Sequence, residues 1–429
     1  MTIFRGTFLD TPDNPFTGGG LRVDADAALL VRDGVIVARG PFSDVRRAHP
    51  AEDIVDLTGG VVLPGFVDTH VHFPQIRAVG GLGLPLLEWL DRYALPEEAR
   101  MADTGYAAGV SAEFVRGLAA AGTTSALVFG AHYADAVDTL FAAASQVGLR
   151  ITSGLVVSDR LLRKDLLTTP ERAYTESLAL AERWHGVGRN RYAVTPRFSL
   201  SCTDDLLAVC RRVLDEVPGS LFTSHVNENE AEIAVVGELF GGSDYVSTYD
   251  RHRLIDHRAV LAHNVHPIDV ELKMLALGGA AVAHCPTSNA ALGSGLFPLA
   301  RHVQYGVRVA LGSDVGAGTG FSLLKEGLQA YFVQRLLGEH GCPLSAAHLL
   351  YLATSAGAEA LGLHEVGDLS VGKRFDAQLL RPADGSPLAV SVEHADDAEE
   401  ALARIFTLGT PADVHAVWIN GDLLHPERP

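Results

Sequence analysis

The sequence predicts an α/β protein: a (β/α)8 TIM barrel with a small β-sandwich domain built from both chain ends. Through the middle of the chain, short apolar strands alternate with longer amphipathic stretches, whereas both ends carry strand patterns without helical periodicity. Repeated strand–helix alternation is typical of a parallel sheet covered by helices, and this many repeats favour closure into a barrel. The predicted domains are residues 1–63 plus 366–429 for the split domain and 64–365 for the barrel.

Hairpin signals mark both chain ends. Near the amino end, the apolar runs LLV and VIVA flank Asp33-Gly34, and near the carboxyl end Asn420-Gly421 separates two further strand patterns. Both dipeptides readily adopt the positive φ angles of a tight hairpin. Residues 21–63 are therefore predicted to form short strands and turns, and strands are also predicted in GDLSVGKRFDAQLL (367–380) and HAVWINGDLL (415–424).

The barrel strands are predicted from seven apolar runs. In chain order they are TTSALVFG, RITSGLVV, RYAVTPR, LFTSH, AVLAH, AAVAHCP and RVALGSD. A helix is expected from about Ala134 to Val147, and residues 158–174 are expected to form an irregular, charged loop. A doubly wound open sheet is the alternative fold, but no GxGxxG-like turn follows an early strand.

Composition excludes several classes of function. The 429 residues are 47% hydrophobic, which is enough for a large core, and the formal net charge of −18 argues against a nucleic-acid partner. The four cysteines show no CxxC spacing, so a reducing compartment is expected. No apolar run approaches the length that a bilayer requires, so we expect a cytoplasmic protein without a membrane partner.

Five candidate metal ligands lie at or just beyond predicted strand ends: His70, His72, His225, His263 and Asp314. An HxH pair on an extended segment directs both imidazoles to the same side. In a parallel barrel the carboxyl ends of the strands converge on one mouth, where catalytic groups gather. A lone histidine at a strand end is more typical of a core residue, but the ordered combination indicates a first-row metal site. Zinc suits such nitrogen-rich ligation, with iron or manganese as alternatives.

The lysines bear on the number of metal ions. Two-metal barrels of this kind often use a carboxylated lysine at a strand end to bridge the ions. None of the four lysines closes a predicted strand: Lys164, Lys273, Lys325 and Lys373. One Zn²⁺ per subunit is therefore predicted. Four further histidines are expected at the surface or behind the site: His132, His252, His257 and His266.

Glu228 is the candidate proton carrier. It lies three residues beyond His225, where a carboxyl beside the metal can move protons between water, substrate and leaving group. Asp314 could both contact the metal and accept the proton of the attacking water. A solvated acidic helix start is the alternative interpretation of this run, and it is expected to account for Glu230 and Glu232.

These motifs resemble the amidohydrolase superfamily, in its cytosine/adenosine/guanine-type deaminase branch. The resemblance rests on PGFVDTHVH (64–72), His225 with Glu228, AH at 262–263 and GSDVGAG (312–318). Within the branch, the guanine deaminases are the most similar family. The segments that resemble them span nearly the whole chain: VDTHVHFPQ (67–75), LPLLEWLDRYALPEEAR (84–100), TPRFSLSC (195–202), HCPTSN…LGSGLFPL (284–299) and SDVGAGTGFSLL (313–324).

The resemblance implies an activity and a role for each matching residue. The activity is hydrolytic removal of the 2-amino group of guanine, giving xanthine and ammonia, as in purine catabolism, by a homodimer. Glu228 would protonate the purine ring, Asp314 would take the proton of the attacking water, and His284 would steady the tetrahedral centre. Guanine itself would be bound by Gln75, Leu86, Trp89, Arg197 and Phe198, and zinc by His70, His72, His225, His263 and Asp314.

Two alternatives stay open at this point. The first is a deaminase or chlorohydrolase of the same superfamily that acts on another aminopurine, a pterin or a triazine. One departure bears on it, because Ala290-Ala291 stand where bulkier apolar residues are expected, which could alter the volume of the pocket. The second is a barrel that serves as a non-catalytic scaffold, although all five candidate ligands and Glu228 are present.

Overall fold

The computed structural model describes residues 1–425 and contains two separate sheets, one parallel and barrel-like and one built from strands of both chain ends. This confirms the predicted fold class. In chain order the strands are β1 (Thr2–Asp10), β2 (Arg22–Arg32), β3 (Val35–Pro41), β4 (Asp53–Pro64), β5 (Phe66–His72), β6 (Thr123–Phe129), β7 (Arg150–Gly154), β8 (Val156–Val157), β9 (Arg191–Pro196), β10 (Leu221–Val226), β11 (Ala259–His263), β12 (Ala281–His284), β13 (Arg308–Leu311), β14 (Ala377–Leu380), β15 (Val414–Ile419) and β16 (Asp422–His425).

Helices cover the barrel and connect its strands. In chain order the α-helices are α1 (Phe42–Ala48), α2 (Leu86–Trp89), α3 (Leu95–Arg100), α4 (Thr104–Ala120), α5 (Ala134–Val147), α6 (Pro170–Trp184), α7 (Asp204–Glu216), α8 (Glu230–Leu239), α9 (Tyr245–Asp250), α10 (Asp269–Gly278), α11 (Pro286–Ala291), α12 (Leu299–Tyr305), α13 (Leu323–Leu336), α14 (Ala346–Ala353), α15 (Ser355–Ala360), α16 (Pro387–Glu393) and α17 (Ala398–Leu408). Within residues 1–425, none of them combines the length and the apolar character needed to cross a membrane.

The sheet of the chain ends has the order β16-β15-β14-β4-β1-β2-β3. Both predicted hairpins are confirmed, with Asp33 at φ 50° and Asn420 at φ 51° in the turns that join β2 to β3 and β15 to β16. Its core joins the two ends of the chain. The ring of Phe4 stacks on that of Phe375 at 4.2 Å and meets Trp418 edge-on at 5.9 Å.

The barrel strands run parallel in the order β5-β6-β7-β9-β10-β11-β12-β13, and the short β8 also pairs with β9. Six of them are buried along their whole length, as expected for strands covered on both faces. Backbone hydrogen bonds close the ring between its first and last strands. Asp314 N donates to His70 O at 2.8 Å, and His72 N donates to Val315 O at 2.9 Å. Closure therefore brings the HxH pair directly beside Asp314.

The helix predicted from about Ala134 to Val147 is confirmed as α5. The irregular loop expected over 158–174 is wrong at its end, because α6 begins at Pro170. Thr169 is the N-cap residue, and its side chain accepts a hydrogen bond from Arg172 N at 3.2 Å. A threonine cap followed by proline is a strong signal for a helix start, and the charges around it do not change that.

Two kinds of contact join residues 366–425 to the barrel. Buried Arg150 at the start of β7 donates to Asp376 at 2.7 Å and to the side chain of Asn420 at 2.6 Å. Helices α16 and α17 pack together, and α17 also packs on the barrel helices α13 and α14. We propose that 1–63 with 366–429 forms one domain and 64–365 the other; the last four residues of this division lie outside the described ones.

Candidate active site

Four ligand atoms converge at the mouth of the barrel. Nε2 of His72 lies 3.1 Å from Nε2 of His70 and 3.2 Å from Nε2 of His225. Oδ1 of Asp314 lies 3.2 Å and 3.3 Å from Nε2 of the first two. A first-row cation with bonds of about 2.0–2.2 Å separates neighbouring ligand atoms by roughly 3 Å, so these spacings suit a metal ion.

His263 belongs to a second, overlapping group with His70 and Asp314, whose ligand atoms all lie within 4.8 Å of one another. Its Nε2 is 3.8 Å from Oδ2 of Asp314 and 3.4 Å from Oε2 of Glu228. The structure therefore brings together all five predicted ligands. His263 lies on the side of the cluster that faces Glu228.

Protonation favours metal binding. Burial lowers the pKa of His72 to about 4 and holds the pKa of His225 well below its usual value, so these imidazoles are neutral at pH 7. Nδ1 of His225 lies 2.6 Å from the carbonyl oxygen of Arg197, and Nδ1 of His263 lies 3.0 Å from Oδ1 of Asn289. Because these Nδ1–H groups donate, each Nε2 keeps a lone pair that can bind a cation.

The backbone is strained around this cluster. His263 (φ 73°), Asn264 (φ 48°), Asp314 (φ 47°) and Asn227 (φ 48°) all lie in the left-handed region, which is uncommon for residues other than glycine. Hydrogen bonds at 2.8 Å from Asn264 N to Val226 O and from Asp314 N to His70 O hold two of them in place. Such strain clusters at functional sites, where the surrounding structure offsets its cost.

Glu228 is buried beside the ligand cluster. Its Oε1 accepts a hydrogen bond from Oγ of Ser294 at 3.3 Å, and its Oε2 faces His263. Burial, reinforced by the negative charge of Asp314, raises the pKa of Glu228 well above its usual value. A buried carboxyl whose pKa is raised holds its proton more tightly than a free one and can deliver it to a substrate.

The other two acidic residues that closely follow Glu228, namely Glu230 and Glu232, differ in burial. Glu230 is exposed at the start of α8, as expected. The expectation that Glu232 is solvated is wrong, because it is fully buried and accepts a hydrogen bond from the hydroxyl of Tyr245. Burial raises its pKa to about 7. Position 232 lies on the side of α8 that faces the core. The charges in the sequence alone do not show which side of so short a helix is buried.

A small cavity opens onto the cluster. The five residues predicted to bind the substrate all line it. Its wall consists of His72, Gln75, Leu86, Trp89, Leu90, Arg197, Phe198, His225, Glu228, His263, Leu292, Asp314 and Ala317. The apolar and aromatic wall and the few convergent polar groups are typical of a small-molecule site.

Sequence reasoning missed a polar group behind this wall. Oε1 of Glu98 accepts hydrogen bonds from Gln75 Nε2 at 2.7 Å and from Arg197 Nη1 at 2.8 Å. Nε2 of His132, a residue expected at the surface or behind the site, lies 3.3 Å from Oε2 of the same carboxylate. All four side chains are buried. Glu98 stands in an acidic run, PEE, which alone indicates only a solvated helix start.

Buried Asp68 was also missed. Its carboxylate accepts hydrogen bonds from Ser313 N at 3.0 Å, from Ser313 Oγ at 2.5 Å and from His70 N at 3.2 Å. Burial raises its pKa to about 7, although these bonds act in the opposite direction. Asp68 thus links β5 to the segment that carries Asp314, and the motif DTH places it two residues before His70.

His284 lies at the end of β12, next to the ligand-bearing β11. Its ring stacks on that of Phe297 at 4.1 Å, and neither nitrogen has a hydrogen-bond partner among residues 1–425. It is not among the residues that line the cavity, and its role beside the tetrahedral centre stays a prediction. Ala290 and Ala291 do not line the cavity either, whereas the adjacent Leu292 does.

Comparison with known proteins agrees with this geometry. The sequence profile of the amidohydrolase family matches residues 61–424, and a profile of the bacterial imidazolonepropionase-like composite domain matches residues 27–51. A probable guanine deaminase of Deinococcus radiodurans is 58% identical over 432 residues, which cover 99% of this chain and 98% of that protein.

Solved structures give the same result. The structure of Escherichia coli guanine deaminase superposes with a TM-score of 0.95 at 36% identity, covering 100% of both chains. That of guanine deaminase from C. acetobutylicum, with guanine bound in the active site, has a TM-score of 0.91 at 27% identity and covers 98% of this chain and 99% of its own. The chain therefore belongs to the amidohydrolase family and, within it, to the same group as these guanine deaminases.

Proposed function

We propose that this protein hydrolyses guanine to xanthine and ammonia. The observation that carries the proposal is the position of Glu228, a buried carboxyl with a raised pKa, between the ligand cluster and a cavity that also holds Arg197 and Gln75. The relatives described above are guanine deaminases, which supports the same substrate, since the similarity to them extends over nearly the full chain. A non-catalytic scaffold would need none of these ionisable groups.

The cofactor we assign is one zinc ion per subunit, held by the five predicted ligands. The imidazoles and one carboxylate form a nitrogen-rich donor set. Zinc binds such ligands readily, whereas magnesium and calcium prefer oxygen ligands. When bound, such an ion makes water nucleophilic near neutral pH. The ligands of this site are His70, His72, His225, His263 and Asp314.

Substrate binding is assigned to the cavity wall. Arg197 is a fixed cationic donor and suits the six-position oxygen of guanine, while Gln75 pairs with a polar edge of the ring. Phe198 offers a ring face, and Leu86 and Trp89 provide apolar walls that exclude water. Because a mismatched donor or acceptor stays unpaired in such a cavity, these contacts discriminate among rings.

Two carboxyl groups handle the protons. Asp314 accepts the proton of the water that attacks carbon 2, the carbon bearing the amine. Glu228 gives a proton to the adjacent ring nitrogen, so that the tetrahedral carbon can form without a charged ring. The carbon–nitrogen bond then breaks: the amine takes the proton held by Asp314 and leaves as ammonia, the hydroxyl on carbon 2 gives its proton back to Glu228, and the ring keeps the oxygen as xanthine.

Release of ammonia from a panel of rings tests this proposal. The panel contains guanine, adenine, cytosine, 8-oxoguanine, a 2-aminopterin and an aminotriazine, each measured as kcat/KM. We expect guanine to exceed adenine and cytosine by at least about 10²-fold, because buried polar groups reject an unmatched edge. Activity on a pterin or a triazine alone would overturn the substrate assignment and leave the fold untouched.

Compartment and assembly belong to the same proposal. A cytoplasmic location is supported by the cysteines, since Cys202, Cys210, Cys285 and Cys342 are all free thiols in the structure. A homodimer stays a prediction from the resemblance. Light scattering coupled to gel filtration measures its mass directly.

A further inference from the structure

We propose that Glu98 is a positioning residue, which fixes the directions in which Arg197 and Gln75 face the substrate. Glu98 lies on α3, is only 2% exposed and is not among the residues that line the cavity. It therefore acts through its neighbours and not by touching the ring. This inference rests on the proposed function and assigns the part of that site which selects the substrate.

The contact with Arg197 is a buried ion pair. Nη1 of Arg197 lies 2.8 Å from Oε1 and 2.6 Å from Oε2 of Glu98, and the arginine is 3% exposed. These are the only hydrogen bonds that the guanidinium makes within the described chain. Its Nε and Nη2 groups therefore remain available to a ligand in the cavity that Arg197 lines. Pairing also cancels the arginine charge, so this end of the cavity suits a neutral carbonyl better than an anion.

The contact with Gln75 fixes the orientation of an amide. A carboxylate can only accept, so the Gln75 atom 2.7 Å from Oε1 of Glu98 has to be the NH₂ group. The same nitrogen lies 3.3 Å from Nδ1 of His72. The amide oxygen of Gln75 is left as the free group, with a single long contact of 3.4 Å from Gly316 N. Gln75 therefore offers an acceptor to the substrate.

Together the two side chains form a donor beside an acceptor. A lactam edge, in which a ring N–H lies next to a carbonyl, is the complement of this pair, and guanine carries one at positions 1 and 6. The amidine edge of adenine presents the opposite pattern and would leave both groups unpaired. Nε2 of His132 lies 3.3 Å from Oε2 of the same carboxylate.

Replacing Glu98 by glutamine tests the inference, because it removes the negative charge and puts an NH₂ donor in place of one of the two oxygens that accept from Nη1 of Arg197. We expect Glu98→Gln to raise KM for guanine about 10- to 100-fold, with a smaller fall in kcat, and to lower the preference for guanine over adenine. Bound metal should stay close to wild type, while the melting temperature falls, because the charge of Arg197 stays buried without its partner. The matched control is Glu97→Gln, since Glu97 pairs with Arg100 and Tyr106 outside the cavity, and we expect less than about a 2-fold change.

A double-mutant cycle separates positioning from a structural role. In an Arg197→Ala background, Glu98→Gln should lower kcat/KM by clearly less than it does in wild type, because one of the two groups that Glu98 positions is already gone. Equal losses in both backgrounds, or a loss of metal and thermal stability with unchanged selectivity, would show a structural role only. Should Glu98→Gln fail to fold, Glu98→Asp keeps the charge and is expected to give an intermediate KM. If the wild-type protein is inactive on guanine, both the proposed function and this inference are overturned. If the wild type is active but Glu98→Gln has the same KM and the same preference for guanine, only this inference is overturned.

Discussion

Nδ1 of His225 lies 2.6 Å from the backbone carbonyl oxygen of Arg197. A candidate metal ligand on β10 is thus oriented by the main chain of the residue whose side chain faces the substrate cavity. Metal binding and substrate binding share one residue, but they use different parts of it. Changes to the Arg197 side chain can therefore alter substrate selection without disturbing His225.

Arg197→Ala is expected to keep one metal ion per chain while KM for guanine rises about 10- to 100-fold, since a hydrogen bond to a charged group is lost. Selectivity for guanine over adenine should fall with it. Metal analysis and steady-state kinetics on both rings check this. Arg172→Ala, at an exposed position on α6, is the control and should match wild type. Loss of the metal in Arg197→Ala would contradict the separation of the two roles.

Removal of a ligand should affect the metal itself. Because Nε2 of His72 lies within 3.3 Å of three other ligand atoms, His72→Ala is expected to lose the bound ion and at least about 10³-fold in activity. Zinc at about 100 times its dissociation constant adds about 2.7 kcal/mol to the free energy of unfolding, so added zinc should raise the melting temperature of chelated wild type and not of the variant. His340→Ala, at an exposed position, is the control. A variant that still binds one ion tightly would refute this ligand assignment.

The convergence of the candidate metal ligands was predictable, because all of them lie at or just beyond the ends of parallel barrel strands. Parallel strands in a closed barrel end at one mouth, so residues as far apart in sequence as His70 and Asp314 could be placed together from local patterns alone. The hairpin turn at Asp33-Gly34 followed in the same way, from a backbone geometry that only a few residue types tolerate.

The polar group behind the cavity was not predictable in this way. Glu98 and Arg197 are 99 positions apart, and nothing in the helix pattern of α3 distinguishes a buried acid from a solvated one. The burial of Glu232 was missed for the same reason, because the sequence of a short helix does not show which of its sides faces the core. Burial of a charge depends on a partner from another element, and a single sequence does not state which partner that is.

Glu326 gives a prediction for pH dependence. This carboxyl is fully buried and accepts hydrogen bonds from Thr287 N at 2.9 Å and Thr287 Oγ1 at 2.6 Å, and burial raises its pKa to about 8. Below about pH 4.5 it is protonated in both the folded and the unfolded states. Between there and pH 8 only the unfolded state ionises, so the free energy of unfolding falls as pH rises, by about 1.4 kcal/mol per pH unit at most.

Glu326→Gln removes this titration. We expect the melting temperature of wild type to fall relative to that of the variant between pH 5 and pH 8, and the difference to level off above pH 8. Scanning calorimetry across this range measures it, with Glu339→Gln, at an exposed position, as the control. Parallel curves for wild type and Glu326→Gln would contradict a raised pKa at this position.

The kinetics of Glu228→Gln test the central claim most directly. The substitution keeps the size of the side chain and removes its transferable proton, so kcat for guanine is expected to fall by about 10²- to 10⁴-fold while one metal ion per chain remains bound. Glu230→Gln, in the same acidic run but exposed, should keep wild-type kcat. A Glu228→Gln protein that converts guanine to xanthine at the wild-type rate would contradict the account.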